Sequence, residues 1–217
     1  MIGPVMIGPS SSHTAGACRI GLLARGILGV PPQTARICLH GSFAKTGRGH
    51  GTDRALVAGL LGFKPDDGRL PSAMEEAQAA GLELHWAVDD LGNVHPNSVR
   101  IALSGGGRTT EVVASSIGGG AVEVVEVDGV QVRFGGARHT LLVEHEDFYG
   151  AIATVTRVVA DDRVNIASLS CNRHRRGGEA LMCLELDGRL SDAALQWIER
   201  IHGMHWVRML PPIMDGV

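Results

Sequence analysis

Between His139 and Leu210 the hydrophobic pattern switches repeatedly between the two-residue period of a strand and the 3.6-residue period of a helix. His139–His145 predicts a strand, and Tyr149–Ala160 a helix with Ile152, Val155 and Val159 on its inner face. Val164–Cys171 and Ala180–Leu186 predict two further strands. Ser191–Ile201 predicts a helix capped by Ser191, with Ala194, Ile198 and Ile201 inward, and Met204–Leu210 a last strand. This βαββαβ order is that of the ferredoxin-like split βαβ unit. Its helices cover one face of the sheet, so the other face must meet solvent, a partner or a ligand.

The chain has 217 residues, more than that unit needs. Upstream, a helix is expected from about Ala15 to Leu28, where Ile20, Leu23, Ala24, Ile27 and Leu28 form one apolar stripe. Gly16, Gly21 and Gly26 each cost such a helix about 1 kcal/mol against Ala, and mark places for close backbone approach. Arg36–His40 predicts a short strand and Gly41–Gly51 a polar loop. A second helix starts near Thr52–Asp53, with Thr52 or Asp53 as its cap, and a third covers Pro71–Ala80. Five strands follow: Leu82–Val88, Ser98–Leu103, Thr109–Ala114, Ala121–Val127 and Val130–Phe134, with Asp128-Gly129 as a hairpin signal. The expected class is therefore α/β in the α+β sense, with helices early and an antiparallel sheet late. Gly135-Gly136 is the expected boundary, giving domains at 1–135 and 137–217.

Composition closes off several functions. Hydrophobic residues are 44% and charged residues 20% of the chain, as in an ordinary globular protein rather than a disordered one. A net charge of −3 draws the protein to neither nucleic acid nor anionic lipid. The N-terminal run Met1-Ile-Gly-Pro-Val-Met-Ile-Gly-Pro9 lacks a charged region and is broken by Pro4 and Pro9, so it does not read as a signal peptide. No stretch approaches the roughly 20 apolar residues of a membrane helix. A cytoplasmic protein is expected. Cys18, Cys38, Cys171 and Cys183 match neither a zinc nor an iron–sulfur spacing, so no metal site is expected in this chain.

Three segments carry chemistry. Gly8-Pro-Ser-Ser-Ser-His-Thr-Ala-Gly16 directly precedes the first helix. A helix N-terminus presents unpaired N–H groups and partial positive charge, and Ser10, Ser11, Ser12, Thr14 and His13 add donors suited to a carboxylate or phosphate. The plainer reading is a capping run, which explains one hydroxyl rather than four and a histidine. Gly41-Ser-Phe-Ala-Lys-Thr-Gly-Arg-Gly-His-Gly-Thr-Asp53 gathers Lys45, Arg48 and His50 among glycines, but lacks the order of a nucleotide-phosphate loop. Its plainer reading is a glycine-rich turn. His145-Glu-Asp-Phe-Tyr-Gly150 stands at the first strand-to-helix turn of the second domain, where Asp147 either caps the helix or holds an ammonium group. Asn165 begins the neighbouring strand and is expected to face the same spot. Arg173-His-Arg-Arg176 reads as a charged hairpin tip, and Trp197 and Trp206 as core.

Ile7-Gly-Pro-Ser-Ser-Ser-His-Thr-Ala-Gly-Ala17, the Gly41–Asp53 segment and Ser115-Ser-Ile-Gly-Gly-Gly120, in that order, closely resemble the β chain of two-chain iron–sulfur L-serine dehydratases. The resemblance covers nearly the whole chain. Gly47 departs from it, since a larger and often aromatic residue is expected there. The resemblance implies an allosteric-substrate-binding-type domain, also found in some phosphoglycerate dehydrogenases, followed by an amino-acid-sensing ACT domain. It implies a partner α chain whose cysteines hold a [4Fe–4S] cluster with an open iron acting on the serine hydroxyl. Loss of the α-proton and of water then gives aminoacrylate, which hydrolyses to pyruvate and ammonia.

Under that resemblance Ser11, Ser12 and Thr14 are the expected carboxylate donors, with Lys45 and His50 also at the substrate site. His13 is the expected orienting or proton-handling group. His145, Asp147, Gly150 and Asn165 resemble the ligand-contacting positions of serine-binding ACT domains. Asp147 stands where those carry Asn, which leaves L-serine and a monovalent cation as equal candidates. Self-association through the ACT domain is expected, because an exposed sheet edge calls for a partner. Two other functions stay open: a regulatory amino-acid sensor for another enzyme such as a phosphoglycerate dehydrogenase, and a stand-alone hydrolase or metal enzyme using His13, His50 and Asp53.

Overall fold

The Ser11–Gly16 segment forms one π-helical turn that runs directly into α1 (Ala17–Leu28) in the computed structural model, which describes residues 11–214. Gly8–Ser10 of the first motif lie outside the described residues. The expected apolar stripe of α1 is buried, and the helix stops at Gly29, whose left-handed φ of 77° lets its N–H reach Arg25 O. The chain divides between Asp128 and Gly129 into two compact units.

In the first unit α1 is followed by β1 (Thr34–Leu39), α2 (Gly41–His50), α3 (Thr52–Leu61) and α4 (Ala73–Ala79). Then come β2 (Glu83–Val88), β3 (Ser98–Gly105), β4 (Arg108–Gly118) and β5 (Ala121–Val127). The strands lie in the order β2-β1-β3-β4-β5, with β1 and β2 parallel and the other pairings antiparallel. Helices early and sheet late is thus only half correct, because β1 sits between β2 and β3. Ala35, Ile37, Val99, Ile101, Leu103 and Val112 are buried on the strands beneath the helices. Of the glycines expected to admit close approach, Gly16 and Gly21 do so, and Gly59 of α3, which the sequence did not single out, meets α1 from the other side. A Cβ on Gly21 would stand 2.3 Å from Leu56 O, and one on Gly59 2.0 Å from Cys18 O.

The Gly41–Gly51 segment corrects the expected loop: residues 41–50 are the helix α2. Burial outweighs the poor helix propensity of its glycines, since Phe43 is fully enclosed. Its first turn is tied by Ser42 N–H to Pro96 O (2.7 Å) and Ala44 N–H to His40 O (3.3 Å). Gly51, at φ 69°, separates α2 from α3. Neither Thr52 nor Asp53 caps α3. Gly51 holds that position without a side chain, and Asp53 Oδ1 accepts only from Arg54 N–H among the described residues.

The second unit opens with β6 (Val130–Phe134) and continues with β7 (His139–Glu146), α5 (Ala151–Asp161), β8 (Ile166–Arg173), β9 (Glu179–Leu186), α6 (Asp192–Glu199) and β10 (Met204–Leu210). Strand order β10-β7-β9-β8, antiparallel throughout, is the ferredoxin-like arrangement. Leu141, Val143, Val155, Val159, Met182, Leu184 and Ile198 form its core. The other face is not fully open, because β6 packs against β8 and β9 and Asn172 Nδ2 donates to Gln131 O. Ser191 caps α6 as expected, accepting from Ala194 N–H at 3.2 Å.

Three core expectations fail in this unit: Trp206 is only half-buried, with Arg208 over its ring and no place in the core cluster, and Ile152 and Trp197 face outward. Ile152 is 44% exposed because α5 begins at Ala151, which takes the inward position four residues before Val155. Trp197 is 61% exposed, one residue out of phase with the inward Ala194 and Ile198. Among the described residues no helix is long and apolar enough to cross a membrane.

Candidate functional site

The π-helical turn places His13 against the side of α2, so the first two sequence motifs meet in space. His13 Nε2 lies 3.1 Å from Thr46 Oγ1 and 3.3 Å from Ser42 Oγ. The His13 ring stands edge-on to buried Phe43 (centroids 5.4 Å apart) and tilted against His50 (4.9 Å). Thr14 Oγ1 donates to His50 O at 3.3 Å, and His50 Nδ1 donates to Thr46 O at 3.0 Å, since a carbonyl only accepts. Burial holds the His13 pKa below its ordinary value, and nearby His50 lowers it further.

The third motif lies against the same turn. Ser116 is fully buried, packs against Gly16, and has no hydrogen-bond partner for its hydroxyl among the described residues. Next to it in the strand, Ser115 Oγ is 2.7 Å from Ser98 Oγ. Arg19, one turn beyond Gly16, is only 2% exposed and donates from Nη1 to Gly120 O at 2.7 Å. Its Nε has no partner and it makes no ion pair among the described residues. A positive charge is therefore buried between α1 and the Gly118–Gly120 turn.

The expected substrate residues do not all play equal parts. Ser11 and Ser12 are half-buried, and their hydroxyls make no hydrogen bond among the described residues. Thr14 is 2% exposed with its proton on the His50 carbonyl, so it ties the turn to α2 rather than presenting a donor. Lys45 is on the exposed side of α2 without an ion pair among the described residues, while His50 closes the helix beside His13. Asp53 is on α3 and engages its own backbone neighbourhood. Sequence reasoning missed Ser42 and Thr46, whose signal was their i, i+4 spacing. That spacing has meaning only once residues 41–50 are known to be helical.

In the second unit His145 is 2% exposed and donates from Nδ1 to Glu146 O at 2.7 Å. Its Nε2 faces Cys171 Sγ at 3.6 Å. Asp147 accepts from Gly177 N–H at 2.9 Å and from Arg173, and these bonds hold its pKa below the usual carboxylate range, the Gly177 bond most. Gly150, at φ 87°, starts α5. Asn165 is not at the same spot within one chain. It donates to Asp187 Oδ2 at 3.0 Å, next to the end of β8 that crosses β9 at Leu186, whereas His145 pairs with Ala180 at the other end of the sheet.

Among the described residues Cys18, Cys38, Cys171 and Cys183 are all free thiols. Among the described residues no group of three His, Cys, Asp or Glu side chains is placed to hold a metal. Cys18 and Cys183 are buried, and burial pushes both thiols up to about 12.

Fold and site together define an α+β unit with a hydroxyl- and histidine-bearing helical turn, joined in sequence to a ferredoxin-like unit. Residues 2–83 match the family model described as serine dehydratase beta chain. The chain is 41% identical over 201 residues to the probable L-serine dehydratase beta chain of Bacillus subtilis (strain 168), covering 93% of this chain and 91% of that one. It is 40% identical over 214 residues to the L-serine dehydratase beta chain of Peptoniphilus asaccharolyticus, covering 96% of each. A D-3-phosphoglycerate dehydrogenase of Bacillus subtilis (strain 168) is 27% identical over 200 residues, 89% of this chain but 37% of that enzyme. This chain belongs to the family of L-serine dehydratase beta chains.

Proposed function

We propose that the chain is the subunit of an L-serine dehydratase that binds the serine carboxylate and handles a proton during conversion of L-serine to pyruvate and ammonia. The convergence of His13 with Ser42, Thr46 and His50 carries this reading. Ser11 and Ser12 present hydroxyls in the first described turn of a helix, where an anion is favoured. Each charge-assisted hydrogen bond from them is worth about 1.5–3 kcal/mol. Buried Arg19 adds positive charge beneath the turn. Elimination needs a group that takes the α-proton, and His13, kept neutral by burial, meets that need at neutral pH.

The [4Fe–4S] cluster belongs, in this reading, to a cluster-bearing α subunit, and it supplies the Lewis acid for the leaving hydroxyl. No residue of this chain is assigned to it. The N-terminal domain, to about residue 135, forms the junction with that subunit. Residues 137–217 form an ACT domain that pairs with a second copy and takes L-serine or a monovalent cation near His145, Asp147 and Gly150. Asn165 lies apart from those residues in one chain, so it joins such a site only from a second copy. The protein works in the cytoplasm.

Kinetics of the complex reconstituted with the α subunit test the assignment. His13→Ala is expected to cut kcat/KM by about 10²–10⁴-fold, the usual contribution of a positioned acid or base. Ser12→Ala should raise KM with kcat little changed, having removed binding common to ground and transition states. Wild-type kinetics in both variants, with only earlier melting, would reduce the turn to a structural element.

A further inference from the structure

We infer that Thr46 fixes the tautomer of His13, placing the ring proton on Nε2 and the lone pair on Nδ1. A threonine hydroxyl carries one proton. Thr46 Oγ1 lies 2.9 Å from Ser42 O, one helical turn back, and that carbonyl can only accept. The proton is committed there, so towards His13 Nε2, 3.1 Å away, the Thr46 oxygen has only lone pairs to offer. The contact is satisfied when Nε2 donates. Ser42 Oγ, 3.3 Å from Nε2, then serves as a second acceptor, and its own proton remains for Thr46 Oγ1 at 3.4 Å.

The opposite tautomer fits badly. It would set the Nε2 lone pair against the Thr46 oxygen with no proton between them, while the Ser42 hydroxyl that could donate to Nε2 lies farther off, at 3.3 Å against 3.1 Å. Thr46 also orders the second ring, because its carbonyl accepts from His50 Nδ1 at 3.0 Å. The two imidazoles are thus held in opposite tautomers by one residue of α2, His13 with its lone pair on Nδ1 and His50 with its lone pair on Nε2. If His13 takes the substrate proton, which rests on the function proposed above, Nδ1 is the atom that receives it. Thr46 is then a positioning residue, acting through His13 rather than on the substrate.

Nitrogen-15 NMR of the full chain, labelled at histidine and assigned by comparison with His13→Gln, reads the tautomer directly. The expected spectrum at neutral pH shows a protonated Nε2 and an unprotonated Nδ1 for His13. Thr46→Ser should preserve it, and Thr46→Val should give a mixture of tautomers. Wild-type protein with the proton on Nδ1, or a Thr46→Val spectrum identical to wild type, would overturn the inference. In the reconstituted complex Thr46→Val should lower kcat on the order of 10–100-fold, as loss of a group orienting a histidine does, with KM nearly unchanged and activity recovered in Thr46→Ser. The expected spectra with an unmoved kcat would uphold the tautomer and overturn Nδ1 as the proton acceptor.

Discussion

Ser116 Oγ occupies the space that any side chain at Gly16 would need: a Cβ on Gly16 would stand 2.1 Å from that oxygen and 2.9 Å from Ser116 Cβ. Two motifs far apart in sequence are therefore fitted to one another, and the fit lies at the end of the turn that carries His13. With Arg19 fastened to Gly120 O, the hairpin between β4 and β5 forms the floor under that turn.

Gly16→Ala should destabilise the chain by about 1–3 kcal/mol, the usual cost of forcing a methyl group into a filled space. Ser116 sits on a strand and has a short side chain, so it has little room to give way. Gly16→Ala with Ser116→Gly should recover much of the loss, because both clashing atoms are gone. Denaturant unfolding of the single and double variants measures this. Equal stability of Gly16→Ala and wild type would show that the contact is not tight.

The His13–His50 pair makes a pH prediction. The His13 pKa in the folded chain lies below 6.5, chiefly through burial and secondarily through His50. The unfolded chain therefore takes up the proton first as pH falls, and stability decreases with falling pH wherever the unfolded state binds more protons. The His13 contribution is complete above 6.5, declines from there down to the folded pKa, and is constant below it. His13→Gln should flatten that part of the stability profile. His50→Gln should move the His13 midpoint upward in an NMR titration, and an unchanged midpoint would remove His50 as a cause.

Asp147 separates the ligand candidates of the second unit. Its carboxylate already accepts from Gly177 N–H and from Arg173, so a ligand must share or displace those bonds. Asp147→Asn should shift the ratio of affinities from potassium towards L-serine, on the order of tenfold, the worth of one charged hydrogen bond. Calorimetry of the full chain with each ligand checks it. Binding of neither ligand by either protein would leave this unit an assembly module.

Much of this was legible in the sequence. The α1 stripe, the βαββαβ order and the ranges Ala121–Val127 and Val130–Phe134 all appear in the structure, because period and turn chemistry act locally there. Helix α2 was hidden because its glycines oppose a helix, and the burial of Phe43 that favours one is a tertiary effect. Hiding α2 also hid Ser42 and Thr46. The central place of β1 was illegible for a similar reason: its neighbours β2 and β3 are chosen by long-range pairing. Ile152 and Trp197 look inward by type, but one residue of helical phase turns each outward.

The most direct test of the account is pyruvate formation from L-serine by the chain alone and after anaerobic reconstitution with a cluster-bearing α subunit. The account predicts no turnover by the isolated chain, turnover by the complex, and loss of that turnover when the complex is built with His13→Ala. Robust turnover by the isolated chain in the presence of a chelator, or a fully active complex carrying His13→Ala, would contradict it.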